Sequence, residues 1–331
     1  MRLKGVCYDT GIATVRGGST RPELAAGVVE DEIRDIATGV HANAIRISGD
    51  DPDRIAHAAA VAARQGLQVW VSPMLPNADA EATREAIAEC ARVSERLRAS
   101  GARTTLVIGC ELSVFMAGIM PGATHGDRLA LLSDPARLMS EVIGAGLDPS
   151  AVFADFLASA AAAARAVFRG PLTYAAGVWE EVDWSLFDVV GIDAYRDAGN
   201  RATYPEMLRA LVAGGKPVVA TEFGCSTWRG AADLGGMGWT VVDGAAGRLR
   251  DGVIRDEPGQ AAELIVLLDQ MDEAGLEGAF VYTYVAPSYP SDPDPARDLD
   301  TASFALVRSW PHGRTEPKAA YRTVADRYLQ P

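Results

Sequence analysis

Short apolar runs that alternate with longer segments of helical period are the feature that most constrains the fold of this chain. Eight such runs occur, and each has the length of a buried strand. They are Leu3 to Tyr8, Ala42 to Ile47, Gln68 to Ser72, Thr105 to Ile108, Leu172 to Ala176, Val189 to Asp193, Pro217 to Thr221 and Gly278 to Tyr284. This alternation is typical of a parallel sheet built from βα units.

The segments between these runs carry the helical pattern. They are Glu23 to Thr38, Pro52 to Gln65, Ala78 to Ser100, Ser150 to Arg169, Tyr204 to Ala213, Gly259 to Ala274 and Glu316 to Tyr328. Asp134-Pro135 predicts the start of one more short helix. The crossover Trp179 to Phe187 is short, and a helix there is doubtful.

Eight strands with intervening helices in 331 residues predict an α/β fold of the (β/α)8 TIM barrel type. We expect one domain over residues 1–331, because the chain has no internal repeat and no low-complexity linker. A doubly wound sheet fits less well, since no dinucleotide fingerprint follows the first strand. The longest irregular stretches, 112–133, 225–258 and 285–301, follow strands four, seven and eight. They would project from the C-terminal rim, where barrel active sites form.

The overall charge bounds the partners of this chain. The net charge is −13, which disfavours nucleic acids and anionic membranes and leaves neutral or cationic small molecules. Four cysteines without CxxC spacing predict free thiols in a reducing compartment. The N-terminus shows no signal-like core, and no other stretch reads as a membrane span, so we expect a cytoplasmic protein. The oligomeric state stays open.

Two glutamates that directly follow apolar runs carry the chemistry of the chain. Glu111 ends Thr105-Leu-Val-Ile-Gly-Cys-Glu111, and Glu222 ends Lys216-Pro-Val-Val-Ala-Thr-Glu222. A carboxylate at the end of a buried strand is costly to desolvate, so the pair indicates a site that uses two carboxylates, as glycoside hydrolysis does. The alternative is that both cap helices or pair with surface arginines, although Glu is a poor N-cap.

In these motifs the chain resembles the clan A glycoside hydrolases, whose (β/α)8 barrels carry the acid/base glutamate after strand four and the nucleophile after strand seven. Thr221-Glu222-Phe223-Gly224 is similar to the nucleophile segment, and Ile108-Gly-Cys-Glu111 is similar to the acid/base segment. The resemblance implies a hydrolase of carbohydrate metabolism, a retaining glycosidase that needs no cofactor and no metal, with Glu222 as nucleophile and Glu111 as acid/base.

Cys110 departs from this pattern. The family usually has Asn before the acid/base glutamate, and its amide contacts the sugar 2-hydroxyl. A thiol is a weak donor and a weak acceptor, so it does not replace that contact. Three explanations stay open: an unusual substrate at this position, another residue that supplies the contact, or a barrel that has drifted from hydrolysis.

Several polar residues are candidates to support the two glutamates. Arg46 lies inside an apolar run and needs an acidic partner; the resemblance places it beside the nucleophile, and a purely structural ion pair is the alternative. Tyr195 matches the strand-six position from which, in the resembled clan, a tyrosine often bonds to the nucleophile; an amphipathic aromatic at the rim is the alternative. Asp193 could orient Arg46 or a substrate hydroxyl, or serve a loop, and Asp9 has the same two readings.

Aromatic residues near the ends of strands five, seven and eight are candidates for stacking on sugar rings. They are Trp179, Trp228, Tyr282 and Tyr284. Each one could equally pack in the core, because aromatic side chains bury large areas in ordinary interiors. As a set on one rim they favour a small or oligomeric glycoside as the substrate.

Other chemistries have fewer candidates. None of the histidines, His41, His57, His125 and His312, ends a strand cleanly, which disfavours a metal-dependent barrel of the sugar isomerase type. The leading hypothesis is therefore a retaining glycosidase. The alternatives are a glycosidase-like barrel recruited to a biosynthetic step on a specialised metabolite, and a catalytically silent barrel that binds sugars. The sugar, the linkage and endo or exo action are not encoded in these motifs.

Overall fold

The computed structural model describes residues 1–14 and 17–330, and at its centre eight parallel strands form a barrel. The barrel strands are β1 (Leu3–Asp9), β2 (Ala44–Gly49), β3 (Gln68–Pro73), β4 (Thr104–Cys110), β5 (Leu172–Ala175), β6 (Val190–Asp193), β7 (Val218–Phe223) and β10 (Gly278–Val281). Two hairpins decorate it: β8 (Val242–Asp243) pairs with β9 (Arg248–Leu249), and β11 (Val307–Ser309) pairs with β12 (Thr315–Pro317).

The barrel closes between β5 and β6. The hydrogen-bonded order is β5-β4-β3-β2-β1-β10-β7-β6. Ala176, just beyond β5, closes the barrel by pairing with β6. Its N–H donates to the carbonyl of Gly191 over 3.0 Å, and its own carbonyl accepts from the N–H of Asp193 over 2.8 Å. The predicted (β/α)8 fold is therefore confirmed.

Helices form the outer layer and the loops of the rim. They are α1 (Ala26–Thr38), α2 (Pro52–Arg64), α3 (Ala80–Ala99), α4 (Leu112–Phe115), α5 (His125–Leu132), α6 (Pro135–Leu138), α7 (Pro149–Val167), α8 (Tyr204–Ala213), α9 (Glu257–Ala274) and α10 (Ala319–Leu329). The short helix predicted at Asp134-Pro135 is α6.

An aspartate followed by proline starts three of these helices. Asp51, Asp134 and Asp148 each accept hydrogen bonds from backbone N–H groups of the first turn. The proline that follows has no N–H to satisfy and a φ angle that suits the first helical position. Local sequence therefore fixes where α2, α6 and α7 begin.

Several predicted boundaries were wrong. The last helix begins at Ala319 and not at Glu316, because Thr315–Pro317 pairs with β11. The eighth barrel strand ends at Val281, three residues before Tyr284. The stretch 112–133, expected to be irregular, contains α4 and α5. The β5 to β6 crossover has a single 3-10 turn, Trp184–Leu186, where a helix was doubtful.

The apolar core has two parts. The larger part lies between the strands and the surrounding helices, and the smaller part fills the barrel interior. In the interior, Trp70 packs on Phe280 with ring centroids 4.9 Å apart. Cys7 and Cys110 line the same interior. These side chains therefore fill the barrel interior beneath its C-terminal mouth.

The sequence predicted that no stretch is long enough and apolar enough to span a membrane. This prediction was wrong, because one helix meets both criteria. Helix α7 has 19 residues and a mean hydropathy of 1.4. It is nevertheless one of the barrel helices, and it buries Phe153, Phe156 and Leu157 against the outer core. Such a helix in the wall of a barrel is weak evidence for a membrane span.

Replacing Gly191 by Ala tests the closure of the barrel. A Cβ atom there would lie within 3.0 Å of the carbonyl oxygen of Tyr174 and of two neighbouring threonine side chains. We expect a loss of about 3 kcal/mol in the free energy of unfolding, measured by urea denaturation. Gly27→Ala is the control, because nothing lies within 4 Å of its Cβ position. Equal stability of the two variants would contradict this closure.

Candidate active site

Glu111 and Glu222 lie at the same end of the barrel. Glu222 is the penultimate residue of β7, and Glu111 directly follows β4. All eight strands are parallel, so both residues belong to the C-terminal rim. The charge of Glu222 contributes to the raised pKa of Glu111, which places the two carboxyl groups within electrostatic reach.

Glu222 is held from two sides. Nη1 of Arg46 donates to Oε1 over 2.7 Å, and Oη of Tyr195 donates to Oε2 over 3.1 Å. The guanidinium also donates to the carbonyl of Thr221 and to Oγ of Ser72. The side chain of Arg46 is only 1% exposed, so these contacts supply its partners in the absence of water. Both residues expected beside Glu222 lie there.

Asp193 is a second acid at the same guanidinium. Its Oδ1 lies 3.9 Å from Nη1 of Arg46 and accepts a hydrogen bond of 2.8 Å from Oγ1 of Thr221. Burial, and then the charge of Glu222, raise the pKa of Asp193. Of the two readings of Asp193, the structure matches the one in which it orients Arg46.

Cys110 faces the interior next to both acids. Its thiol donates to Oδ2 of Asp193 over 3.3 Å and lies 3.8 Å from Oε1 of Glu222. Burial raises the pKa of the thiol well above its ordinary value, as do the charges of Asp193 and Glu222. Cys110 is therefore a protonated thiol that contacts the carboxylates of Asp193 and Glu222.

Glu111 has a different environment. Its backbone is left-handed, with φ 44° and ψ 46°, which is uncommon for a residue with a side chain. Glu111 stands at the N-cap of α4, but its side chain makes no capping hydrogen bond. Burial raises the pKa of Glu111 well above its ordinary value, and the charges of Asp193, Glu222 and Glu180 raise it further. Among residues 1–14 and 17–330, no salt bridge to its carboxyl group is found.

Aromatic rings form one wall of the mouth. Tyr195 and Tyr282 both pack edge-on against Phe304, with centroid distances of 5.9 and 6.0 Å. Burial, followed by the charge of Glu222, raises the pKa of Tyr282. Trp179 is 39% exposed, and its indole donates to Oγ of Ser113, two residues after Glu111.

Three other candidates lie apart from the carboxylates. Tyr284 does not reach the site, because its hydroxyl donates to Asp35 on α1 and its ring belongs to the outer core. The indole of Trp228 donates to the carbonyl of Gly238 and so holds a rim loop. Asp9 accepts from the N–H of Gly11 in a tight turn, although its charge is felt by Tyr282.

Sequence reasoning missed several residues that the barrel brings to the site. Ser72, the penultimate residue of β3, accepts from Arg46, and Cys7 on β1 lies among the same charges. Phe304 completes the aromatic wall, and Glu180 adds a partly buried carboxylate near Glu111. Only Ser72 carried a signal, since it lies at the C-terminal end of a predicted strand.

Among the residues that the structure describes, one group of atoms could ligate a cation. The Sγ atom of Cys110 and carboxylate oxygens of Asp193 and Glu222 lie within 4.8 Å of one another. However, Nη1 of Arg46 already lies 2.7 Å from Glu222 and 3.9 Å from Asp193, and the thiol must lose its proton before it can ligate a metal. The charges present therefore favour the guanidinium over a metal ion.

Together the fold and the site define a (β/α)8 barrel with a carboxylate pair at the ends of its fourth and seventh strands. Solved glycoside hydrolases share this fold across nearly their whole length. A GH113 β-1,4-mannanase matches with a TM-score of 0.64 at 14% identity, covering 99% of both chains. The GH113 β-mannanase AaManA from Alicyclobacillus acidocaldarius matches with a TM-score of 0.61 at 16% identity, covering 98% of this chain and 96% of its own.

A third glycosidase structure agrees with these two. The β-glycosidase BGL167 matches with a TM-score of 0.53 at 16% identity, covering 99% of this chain and 96% of its own. No protein-family model matches the chain, and no curated protein matches it by sequence. The resemblance to clan A barrels is thus confirmed at the level of the fold.

Glu111→Gln tests the burial of this carboxyl group through stability. The folded protein holds the Glu111 proton more tightly than the unfolded chain, so this stabilisation is full below the unfolded pKa and is lost as pH rises through the folded pKa. We expect the Tm of the variant to exceed that of the wild type by more at pH 8 than at pH 5, by about 1 to 2 °C for each kcal/mol lost in a chain of this length.

The control for this measurement is Glu30→Gln, which changes an exposed glutamate on α1. Its Tm difference from the wild type should stay constant between the two pH values. A constant difference for Glu111→Gln as well would contradict the raised pKa.

Proposed function

We propose that the protein is a retaining glycosidase in which Glu222 is the nucleophile and Glu111 is the general acid and base. The observation that carries the proposal is the contrast between the two environments. Glu222 is bound by Arg46 and Tyr195, whereas Glu111 is partly buried, has a raised pKa and has no ion pair among the described residues. Two carboxyl groups whose surroundings differ in this way are suited to acid and nucleophile roles.

The chemistry would proceed in two displacements. In the first, a carboxylate oxygen of Glu222 bonds to the anomeric carbon while the bond to the leaving oxygen breaks, and Glu111 gives that oxygen its proton. In the second, Glu111 takes a proton from water, whose oxygen bonds to the anomeric carbon as the ester to Glu222 breaks. The two inversions restore the original configuration.

The residues around Glu222 would serve this cycle. Arg46 neutralises the attacking carboxylate, and Tyr195 fixes its second oxygen, so little reorganisation is needed before attack. Asp193 and Ser72 hold the guanidinium in turn. This order of support fits a nucleophile that must be both charged and oriented.

A second candidate function is favoured by Cys110. Its thiol already donates to Asp193, so it offers no amide to a sugar 2-hydroxyl. A barrel recruited to trim or rearrange a specialised metabolite would not need that contact. A broad panel of aryl glycosides, together with β-linked manno-oligosaccharides chosen from the names of the solved relatives, separates the two functions. Robust turnover of simple substrates would exclude the recruited reading.

Replacing each glutamate by glutamine tests the assignment. We expect Glu222→Gln to lower kcat on an activated aryl glycoside on the order of 10⁴-fold or more, because no nucleophile remains. Glu111→Gln should lower kcat/KM about 10²- to 10⁴-fold for poor leaving groups and far less for activated ones.

Glu206→Gln is the matched control, because Glu206 is exposed on α8. It should keep full activity, and circular dichroism should show that all three variants are folded. The anomer released first, followed by proton NMR, should retain its configuration. Full activity of Glu222→Gln, or inversion at the anomeric carbon, would refute the mechanism.

Trp179 is the proposed stacking surface for a sugar ring. It is exposed at the mouth, and its hydrogen bond to Ser113 holds the indole beside the turn that follows Glu111. We expect Trp179→Ala to lower kcat/KM about fivefold through a higher KM, because an aromatic contact contributes roughly 1 kcal/mol. Trp179→Phe should recover most of the loss. An unchanged KM in the alanine variant would assign the indole to packing alone.

A further inference from the structure

The turn after β4 is held by a partly buried carboxylate from another part of the barrel. Glu180 lies in the connection between β5 and β6. Its Oε1 accepts from the N–H of Ser113 over 2.9 Å, and its Oε2 accepts from the N–H of Gly177 over 3.0 Å. One side chain therefore links the start of α4 to the end of β5.

The hydroxyl of Tyr174 extends this link to the residue next to Glu111. It donates to the Glu180 carboxylate over 2.9 to 3.0 Å, and it accepts from the N–H of Leu112 over 2.6 Å. Tyr174 lies on β5 and has no exposed surface. The two backbone N–H groups that follow Glu111 are thus both bound through Glu180, directly or through Tyr174.

This link matters because the backbone at Glu111 is unfavourable by itself. A left-handed backbone is unfavourable for a residue with a Cβ, and α4 has only four residues, too few to be stable alone. The first N–H groups of a helix also need acceptors. Glu180 and Tyr174 provide these acceptors, so they fix where the Glu111 side chain begins.

We propose that Glu180 is a positioning residue for Glu111, acting through the hydrogen bonds of Tyr174, Leu112 and Ser113. The inference rests on the proposed acid/base role of Glu111. Glu180 is not a catalytic residue, since it acts through the turn and through its charge and not on the substrate.

The charge of Glu180 adds a second effect. Glu111 faces Asp193 on β6, Glu222 on β7, Glu180 on the β5 to β6 connection, Arg46 on β2 and the thiol of its neighbour Cys110. Of these groups, the three acids raise the pKa of Glu111 and Arg46 lowers it. Removing the Glu180 charge should therefore let Glu111 lose its proton at a lower pH.

Glu180→Gln is the main experiment. We expect the alkaline limb of kcat/KM to move to lower pH, and kcat/KM at neutral pH to fall about tenfold for a poor leaving group. Turnover of a dinitrophenyl glycoside, which needs no acid, should change less than about twofold. A merely structural role would lower kcat/KM equally for both substrates and leave the alkaline limb at the same pH. That result would overturn the proposal.

Tyr174→Phe separates the geometry from the charge. It removes the hydroxyl that bridges Leu112 and Glu180 but keeps the carboxylate. We expect a loss of kcat with the poor leaving group and no displacement of the alkaline limb. Asp183→Asn is the matched control, because Asp183 lies on the same connection and caps only the 3-10 turn that follows it. A shifted limb in the control would contradict the assignment to Glu180.

A titration without substrate keeps the inference independent of the reaction. In protein labelled with carboxyl-¹³C glutamate, the Glu111 signal is assigned by its loss in Glu111→Gln, and its pKa should fall in Glu180→Gln. An unchanged Glu111 titration would overturn the proposal even if Glu111→Gln is inactive. If Glu111→Gln and Glu222→Gln are both fully active, the proposed function fails. The titration alone then decides whether Glu180 and Glu111 are coupled. If Glu180→Gln does not fold, Glu180→Asp replaces it, because it keeps the charge but changes the geometry. This variant must then change kcat/KM for the poor leaving group and leave the alkaline limb at the same pH.

Discussion

The buried guanidinium of Arg46 is the interaction on which the mouth of the barrel depends. It bonds to Glu222, to the carbonyl of Thr221 and to Ser72, and it lies 3.9 Å from Asp193. Two carboxylates gathered above an apolar plug would otherwise repel each other and lose their hydration. With Arg46 in place, Glu222 has a paired charge and Asp193 has a cation nearby, and the three side chains come from three different strands.

Glu111 lies outside this group, and its surroundings differ from those of Glu222. The nucleophile candidate is oriented by side chains, whereas the acid candidate is positioned through its own backbone and through the turn behind it. Burial and negative neighbours stabilise the protonated form of Glu111, while Arg46 balances the charge of Glu222. The barrel therefore separates two chemically identical side chains by what surrounds them.

Much of the fold and part of the site follow from sequence, and the exceptions have physical causes. Apolar runs mark the strands because barrel strands are buried on both faces, and Arg46 stood out because a charge inside such a run needs a partner. The side-chain environment of Tyr284 could not be predicted, because the strand ends at Val281 and the alternation of side chains between its two faces ends there. Glu180 could not be distinguished from the exposed Glu181 beside it, since only the folded chain brings Tyr174 and Ser113 to one of them.

The closure of the barrel at Ala176 has a consequence for local opening. Between β5 and β6 the backbone pairing is short, and the connection there has a 3-10 turn where other connections have a helix. Regions with few protected amides exchange with solvent through low-energy openings. The same seam carries Tyr174 and Glu180 on one side and Asp193 on the other. Among the barrel strands, amide exchange should therefore be faster where the proposed acid is supported, so that thermal opening of this seam would disable proton transfer while the pocket around Glu222 is still folded.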